Sequence, residues 1–96
     1  MSVTVYNFSS PTCAPCKAIK NTMSMIQDEF ESFNWVNVNT HDDKEGYSSV
    51  YSVTIVPTTV VVCHDAAGNV ISQESHTGTN FAGYYRILRN ALRNSR

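Results

Sequence analysis

No apolar run in this sequence approaches the ~18 residues that a membrane-spanning helix needs. The longest, Val60 to Cys63, is only the core of a strand. Charge is scarce too. Charged residues are 16% of the chain and the formal net charge is -1, so no field is strong enough to draw nucleic acid or a membrane surface. The opening Met1-Ser2-Val3-Thr4-Val5-Tyr6 has neither a basic n-region nor a long apolar h-region. No export signal is therefore expected, and the expected setting is cytoplasmic, where disulfides are mostly transient. Cysteine is sparse and odd in number, three residues in all, which argues against a closed framework of structural disulfides.

What is present fits one globular domain, 1–96: hydrophobic residues at 42% are enough for a single core. Ser2 to Phe8 alternates apolar with small polar residues and is predicted as a strand. Ser9 to Thr12 turns, with Pro11 as the breaker. From Ala14 onward Ile19, Met23, Ile26, Phe30 and Phe33 recur in steps of four and three, one face of a helix about five turns long. Trp35 to Val38 is a second strand, Thr40 to Gly46 a polar loop, and Tyr47, Val50 and Tyr51 a short helix that should end before Val53. Thr58 to Cys63 is β-branched and predicts a third strand. Asp65 to Asn69 is a hairpin loop and Val70 to Ser75 the returning strand. After Gly78, Thr79 or Asn80 caps a last helix with a stripe of Phe81, Tyr85, Leu88 and Leu92. The order βαβαββα makes the first two strands parallel and the last two antiparallel. The expected class is α/β, with a mixed four-stranded sheet flanked by helices.

The chemistry concentrates in Phe8-Ser9-Ser10-Pro11-Thr12-Cys13-Ala14-Pro15-Cys16-Lys17. Both cysteines fall where the first strand enters the first helix. Unpaired backbone N–H groups and the positive end of the helix dipole meet Cys13 there and favour its thiolate, drawing a thiol pKa of roughly 8.5 toward neutrality. Cys13 is thus the expected attacking thiolate. Cys16, nearly one turn on, is expected to resolve the mixed disulfide. Pro15 suits the first turn, where its missing N–H costs nothing. Two rival readings exist. A zinc site would draw on His41, Cys63, His64 and His76, but Cys63 and His64 are adjacent and awkward around one tetrahedral ion. A permanent disulfide across so short a loop stabilises only modestly. The placement favours redox exchange.

Cys13-Ala14-Pro15-Cys16-Lys17 resembles the Cys-Gly-Pro-Cys-Lys of the thioredoxin superfamily, and Ile55-Val56-Pro57-Thr58 resembles the segment carrying that family's cis-proline. The resemblance covers essentially the whole chain and implies a thioredoxin-like fold. It implies that Pro57 packs against the dithiol and that Val56 offers backbone groups to an extended peptide, with Thr12, Ala14, Pro15, Thr58 and Gly78 shaping the groove. It implies no bound cofactor and no metal. Electrons would come from thioredoxin reductase and NADPH, or from glutathione, and pass to protein disulfides such as that of a ribonucleotide reductase. A monomer is expected.

Several positions depart from the family pattern. Thr12 stands where a Trp is usual, Asn7 replaces a buried acid, and Asn37 replaces a lysine facing that acid. Only twelve residues precede Cys13, a short layout similar to glutaredoxins and to several small phage and bacterial redox proteins. Glutaredoxins, however, prefer Cys-Pro-Tyr-Cys. Two competing functions follow: a glutathione-dependent glutaredoxin, and a thioredoxin-fold binding module serving as a subunit of a partner.

The remaining candidates have plain readings. Cys63 reads as a small strand residue with an inert or partly exposed thiol, against a thiol open to glutathionylation. His64 is expected in solvent, His41 and His76 in loops, and Tyr84 and Tyr85 at the edge of the core. Arg86, Arg89, Arg93 and Arg96 share a helix face, read as solvated rather than as a docking surface for an acidic protein.

Overall fold

The computed structural model describes residues 2–95. Strand β1 spans Ser2–Ser9, helix α1 Ala14–Glu29, strand β2 Asn34–Asn39, helix α2 Tyr47–Val50, strand β3 Thr58–His64, strand β4 Val70–Thr77 and helix α3 Phe81–Asn94. The sheet order is β2-β1-β3-β4. β1 pairs parallel with β2 and antiparallel with β3, and β3 pairs antiparallel with β4. This is the mixed four-stranded α/β arrangement expected from the sequence.

Alternation along β1 divides the core between the two faces of the sheet. Val3 and Val5 point to one face, where Val61 and Cys63 of β3 meet Ile19, Met23, Ile26 and Phe30 around α1 and Tyr84, Ile87, Leu88 and Ala91 of α3. Phe8 points to the other face, with Val38, Val60 and Val62. There the segment around α2 supplies Tyr47, Tyr51 and Val53 as a partial cover. β3 is buried from Thr58 through Cys63, as a strand covered on both faces must be, which explains why its sequence is an unbroken apolar run after its two threonines.

Two helical expectations are corrected. α1 ends at Glu29, so Phe33 lies beyond it. The Phe33 N–H returns to the Phe30 carbonyl at 3.1 Å, the two rings stack at 5.7 Å, and the Trp35 indole N–H donates to that same carbonyl at 3.0 Å. The apolar step survives the end of the helix because the turn folds back under it. On α3 the buried stripe is Tyr84, Ile87, Leu88 and Ala91, with Phe81, Tyr85 and Leu92 packed half-buried at its flanks. Tyr84 is therefore core, not edge. β4 also runs two residues further than expected, to Thr77, so His76 is a strand residue and not a loop residue.

The β3–β4 hairpin is organised by Asp65. Its carboxylate accepts from the N–H groups of Ala67 and Asn69, both at 2.9 Å, and Gly68 takes a φ of +88° that few L side chains adopt. Hydrogen bonding, first from the Asn69 N–H, holds the Asp65 carboxyl below its usual range.

Candidate active site

Cys13 is the N-cap of α1, in extended conformation, and its sulfur accepts the Cys16 N–H at 3.1 Å. An N-cap atom that takes a helix N–H satisfies one of the orphan donors of the first turn, here with sulfur in place of the usual oxygen. The Lys17 N–H closes the turn on the Cys13 carbonyl at 3.1 Å, and Pro15 sits where no partner for its nitrogen is needed. Cys13 and Cys16 are joined as a disulfide, with Cα atoms 5.2 Å apart. Cys13 is partly exposed, whereas Cys16 is 8% exposed, tucked under the helix start.

The loop before β3 comes to the same place. The Val56–Pro57 peptide is cis, as the resemblance implied, and the Val56 carbonyl oxygen lies 3.8 Å from the Cys13 sulfur. Pro57 and Thr58 are buried and Val56 is half-buried. Thr58 fixes the loop, its hydroxyl 2.6 Å from the Ile55 carbonyl and 2.7 Å from the Thr77 hydroxyl. Gly78 adjoins this loop, its N–H donating to the Pro57 carbonyl at 3.0 Å. Thr12, Ala14 and Pro15 are exposed around the pair. The structure thus gathers three segments distant in sequence, 12–16, 56–58 and 78, at one end of the sheet.

A cleft of about 620 Å³ opens behind the pair, its wall including Asn7, Cys16, Lys17, Gln27, Asn37 and Pro57, and among the described residues its lining holds no carboxylate. Asn7 donates to Asn37 at 3.2 Å and accepts from Thr59 at 3.3 Å, and Asn37 exchanges hydrogen bonds with Gln27. Asn7 and Asn37 thus meet as a neutral pair where the family carries charge. Gln27 follows Cys16 by about three turns on the same face of α1 and lines the same cleft, a spacing that could have pointed to it.

Other candidates lie elsewhere. Cys63 is free and 2% exposed, sealed between the sheet and the α1/α3 layer, on the inert side of its two readings. The His64 ring is 3.4 Å from the Gly68 carbonyl in the hairpin. His76 packs edge-on to Tyr84 at 4.6 Å and donates through Nε2 to the Asn80 carbonyl at 2.9 Å. On α3, Arg86 pairs with Glu74 at 3.6 Å, Arg89 lies over the Tyr85 ring and Arg93 reaches Asn90. Arg96 is outside the described residues. No helix among the described residues is long and apolar enough to cross a membrane.

A cysteine pair at the junction of a parallel strand and a helix, facing a cis-proline loop at the head of a central strand, defines a class: the dithiol oxidoreductases of thioredoxin-like fold. The particular family follows from comparison. The family model Thioredoxin matches residues 2–82, and the chain belongs to the thioredoxin family. It is similar to the thioredoxin of Fasciola hepatica at 21% identity, with a TM-score of 0.76 over 94% of this chain and 81% of that one. It is similar to the thioredoxin of Trypanosoma brucei brucei at 25% identity, TM-score 0.75, over 96% and 76%. A chain from the crystal structure of a ferredoxin:thioredoxin reductase and thioredoxin f2 complex matches at 14% identity, TM-score 0.77, over 95% and 78%. No curated protein sequence matches.

Proposed function

We propose that this protein reduces disulfides in other proteins, with Cys13 as nucleophile and Cys16 as resolver. The observation that carries the reading is the Cys16 N–H aimed at the Cys13 sulfur across 3.1 Å at the head of a sixteen-residue helix. A thiolate accepts that hydrogen bond better than a thiol does, and the helix dipole adds to the preference.

In the reduced protein the Cys13 thiolate attacks one sulfur of the substrate disulfide. That S–S bond breaks, a Cys13–substrate disulfide forms, and the departing sulfur leaves as a thiolate that takes a proton. Cys16 then loses its proton and attacks the Cys13 sulfur. The second substrate thiol departs and the Cys13–Cys16 disulfide remains. Two electrons and two protons have moved from protein to substrate. Val56, Pro57, Thr58 and Gly78 form the groove in which an extended substrate lies, with Thr12, Ala14 and Pro15 at its rim.

The donor we propose is a protein of the thioredoxin reductase type, supported by the neighbour that was solved with ferredoxin:thioredoxin reductase. Protein disulfides, that of a ribonucleotide reductase among them, are the proposed acceptors. A monomer working in the cytoplasm without a bound cofactor fits a dithiol that must cycle open. The test is NADPH oxidation coupled to reduction of a protein disulfide, with thioredoxin reductase in one arm and glutathione with glutathione reductase in the other. Turnover in the first arm alone supports this reading. Turnover in the second alone makes the protein a glutaredoxin, and silence in both favours a binding module.

A further inference from the structure

Gly78 is tied on both sides. Its N–H donates to the Pro57 carbonyl at 3.0 Å, and its own carbonyl accepts the Tyr84 hydroxyl at 2.5 Å. Its φ is +112°, in a region that glycine alone enters freely, so the two bonds fix a residue with little rigidity of its own. Tyr84 is completely buried on α3, and burial pushes its phenol up to about 12. It keeps its proton, and the proton goes to Gly78. The Tyr84 ring is held in turn by the edge-on His76 ring, which is anchored at the Asn80 carbonyl. Gly83 leaves that imidazole its space, since a Cβ there would overlap the ring. A line of contacts therefore runs from His76 through Tyr84 and Gly78 to Pro57, next to the Val56 carbonyl that faces Cys13.

We propose that Tyr84 is a positioning residue for substrate capture: its hydroxyl holds the Gly78 peptide against Pro57 and so fixes one wall of the groove. This rests on the dithiol reading above. A substrate that docks through main-chain groups is sensitive to the placement of each backbone wall. The exchange between Cys13 and Cys16 takes place on α1 and does not pass through Tyr84. Removing the hydroxyl takes from the half-buried Gly78 carbonyl the side-chain bond that fixes its direction. The peptide turns to find water, and its N–H leaves Pro57.

The experiment compares Tyr84→Phe with Tyr85→Phe, which deletes the same atom from the outer flank of α3, where Tyr85 donates to Glu29. Tyr84→Phe is expected to raise KM for a disulfide-bearing protein substrate about five- to tenfold, with kcat kept within about twofold. Amide exchange at Gly78 is expected to quicken in the same variant, and Tyr85→Phe to leave both KM and that exchange at wild-type values. An unchanged KM in Tyr84→Phe overturns the proposal, as does a loss confined to kcat. A second measurement leaves Tyr84 intact. In Cys16→Ser protein holding a peptide on Cys13 as a mixed disulfide, Gly78 amide protection should rise and the Tyr84 hydroxyl proton should shift relative to free Cys16→Ser. Absence of both changes overturns the proposal even if Tyr84→Phe does not fold. Failure of the dithiol reading looks different: wild-type protein is silent in both donor arms, no adduct forms on Cys13, and this proposal falls with it.

Discussion

The Cys13 sulfur is near two backbone groups of opposite polarity, 3.1 Å from the N–H of Cys16 and 3.8 Å from the carbonyl oxygen of Val56. The closer group is the donor, so negative charge on this sulfur is favoured. The Val56 carbonyl, an acceptor, adds no stabilisation to that charge.

One consequence is selective alkylation. In the reduced protein near neutral pH, iodoacetamide should label Cys13 at least about tenfold faster than Cys16, given thiolate character and access together. Cys63, 2% exposed, should label only after denaturant is added. Mass spectrometry of timed samples reads all three. Early labelling of Cys63 would contradict the burial described above.

Gly83→Ala should destabilise the protein although alanine is the better helix former by ~1 kcal/mol. The new methyl overlaps the His76 ring, and overpacking a filled site typically costs about 1–3 kcal/mol. Urea melts are expected to show a net loss of about 1 kcal/mol from these two terms. In a His76→Ala background the ring is gone and the same substitution should become neutral or stabilising. A stabilised Gly83→Ala single variant would show that the ring moves aside freely.

Much of this was legible beforehand. β-branched density marked β3, four-and-three spacing marked α1, and Cys13, Ala14, Pro15 and Cys16 announced themselves as a local motif. What was hidden had no local signature. Tyr84 and Tyr85 are both aromatic and adjacent, and only packing against β3 and β4 decides which one turns inward. Ala91 has no local mark, because a small side chain adds little to an apolar stripe, yet it is buried in the core that α3 shares with β1 and β3. The bond from Tyr84 to Gly78 joins a side chain to a backbone carbonyl, so sequence has no pair of letters to show for it.

Asn7→Asp should give the resolving step a second titration. Asn7 and Cys16 wall the same cleft, whose lining among the described residues has no carboxylate. In the wild type the rate at which Cys16 releases a substrate from Cys13 is expected to rise with pH in a single step governed by the thiol. In the variant a partly buried carboxyl, raised above its usual ~3.9 by desolvation, can take the Cys16 proton and should add an inflection at lower pH. Stopped-flow resolution of a fluorescent mixed disulfide across pH 4 to 9 reads it. An unaltered single step would show that the carboxyl and the thiol do not communicate.

Asp65→Ala should lower the melting temperature at neutral pH by undoing the hairpin's side-chain hydrogen bonds. The folded Asp65 carboxyl titrates below its ordinary value of 3.8, so its stabilising contribution is present above that value. It is lost as pH falls through the folded pKa. The gap between variant and wild type should therefore close toward strongly acid conditions. Scanning calorimetry at neutral and at strongly acid pH makes the comparison, and a gap of constant size would assign the loss to chain flexibility instead.

Pro57 is buried at the head of a strand whose next six residues are buried as well. A loop mounted on such a strand has no frayed end to open from. Peeling it away means exposing the middle of the sheet, an event of nearly global cost. The Pro57 side of the groove is therefore expected to come away only with the sheet, whatever the exposed rim at Thr12, Ala14 and Pro15 does. In a heated sample the cis-proline wall and the native sheet should disappear together.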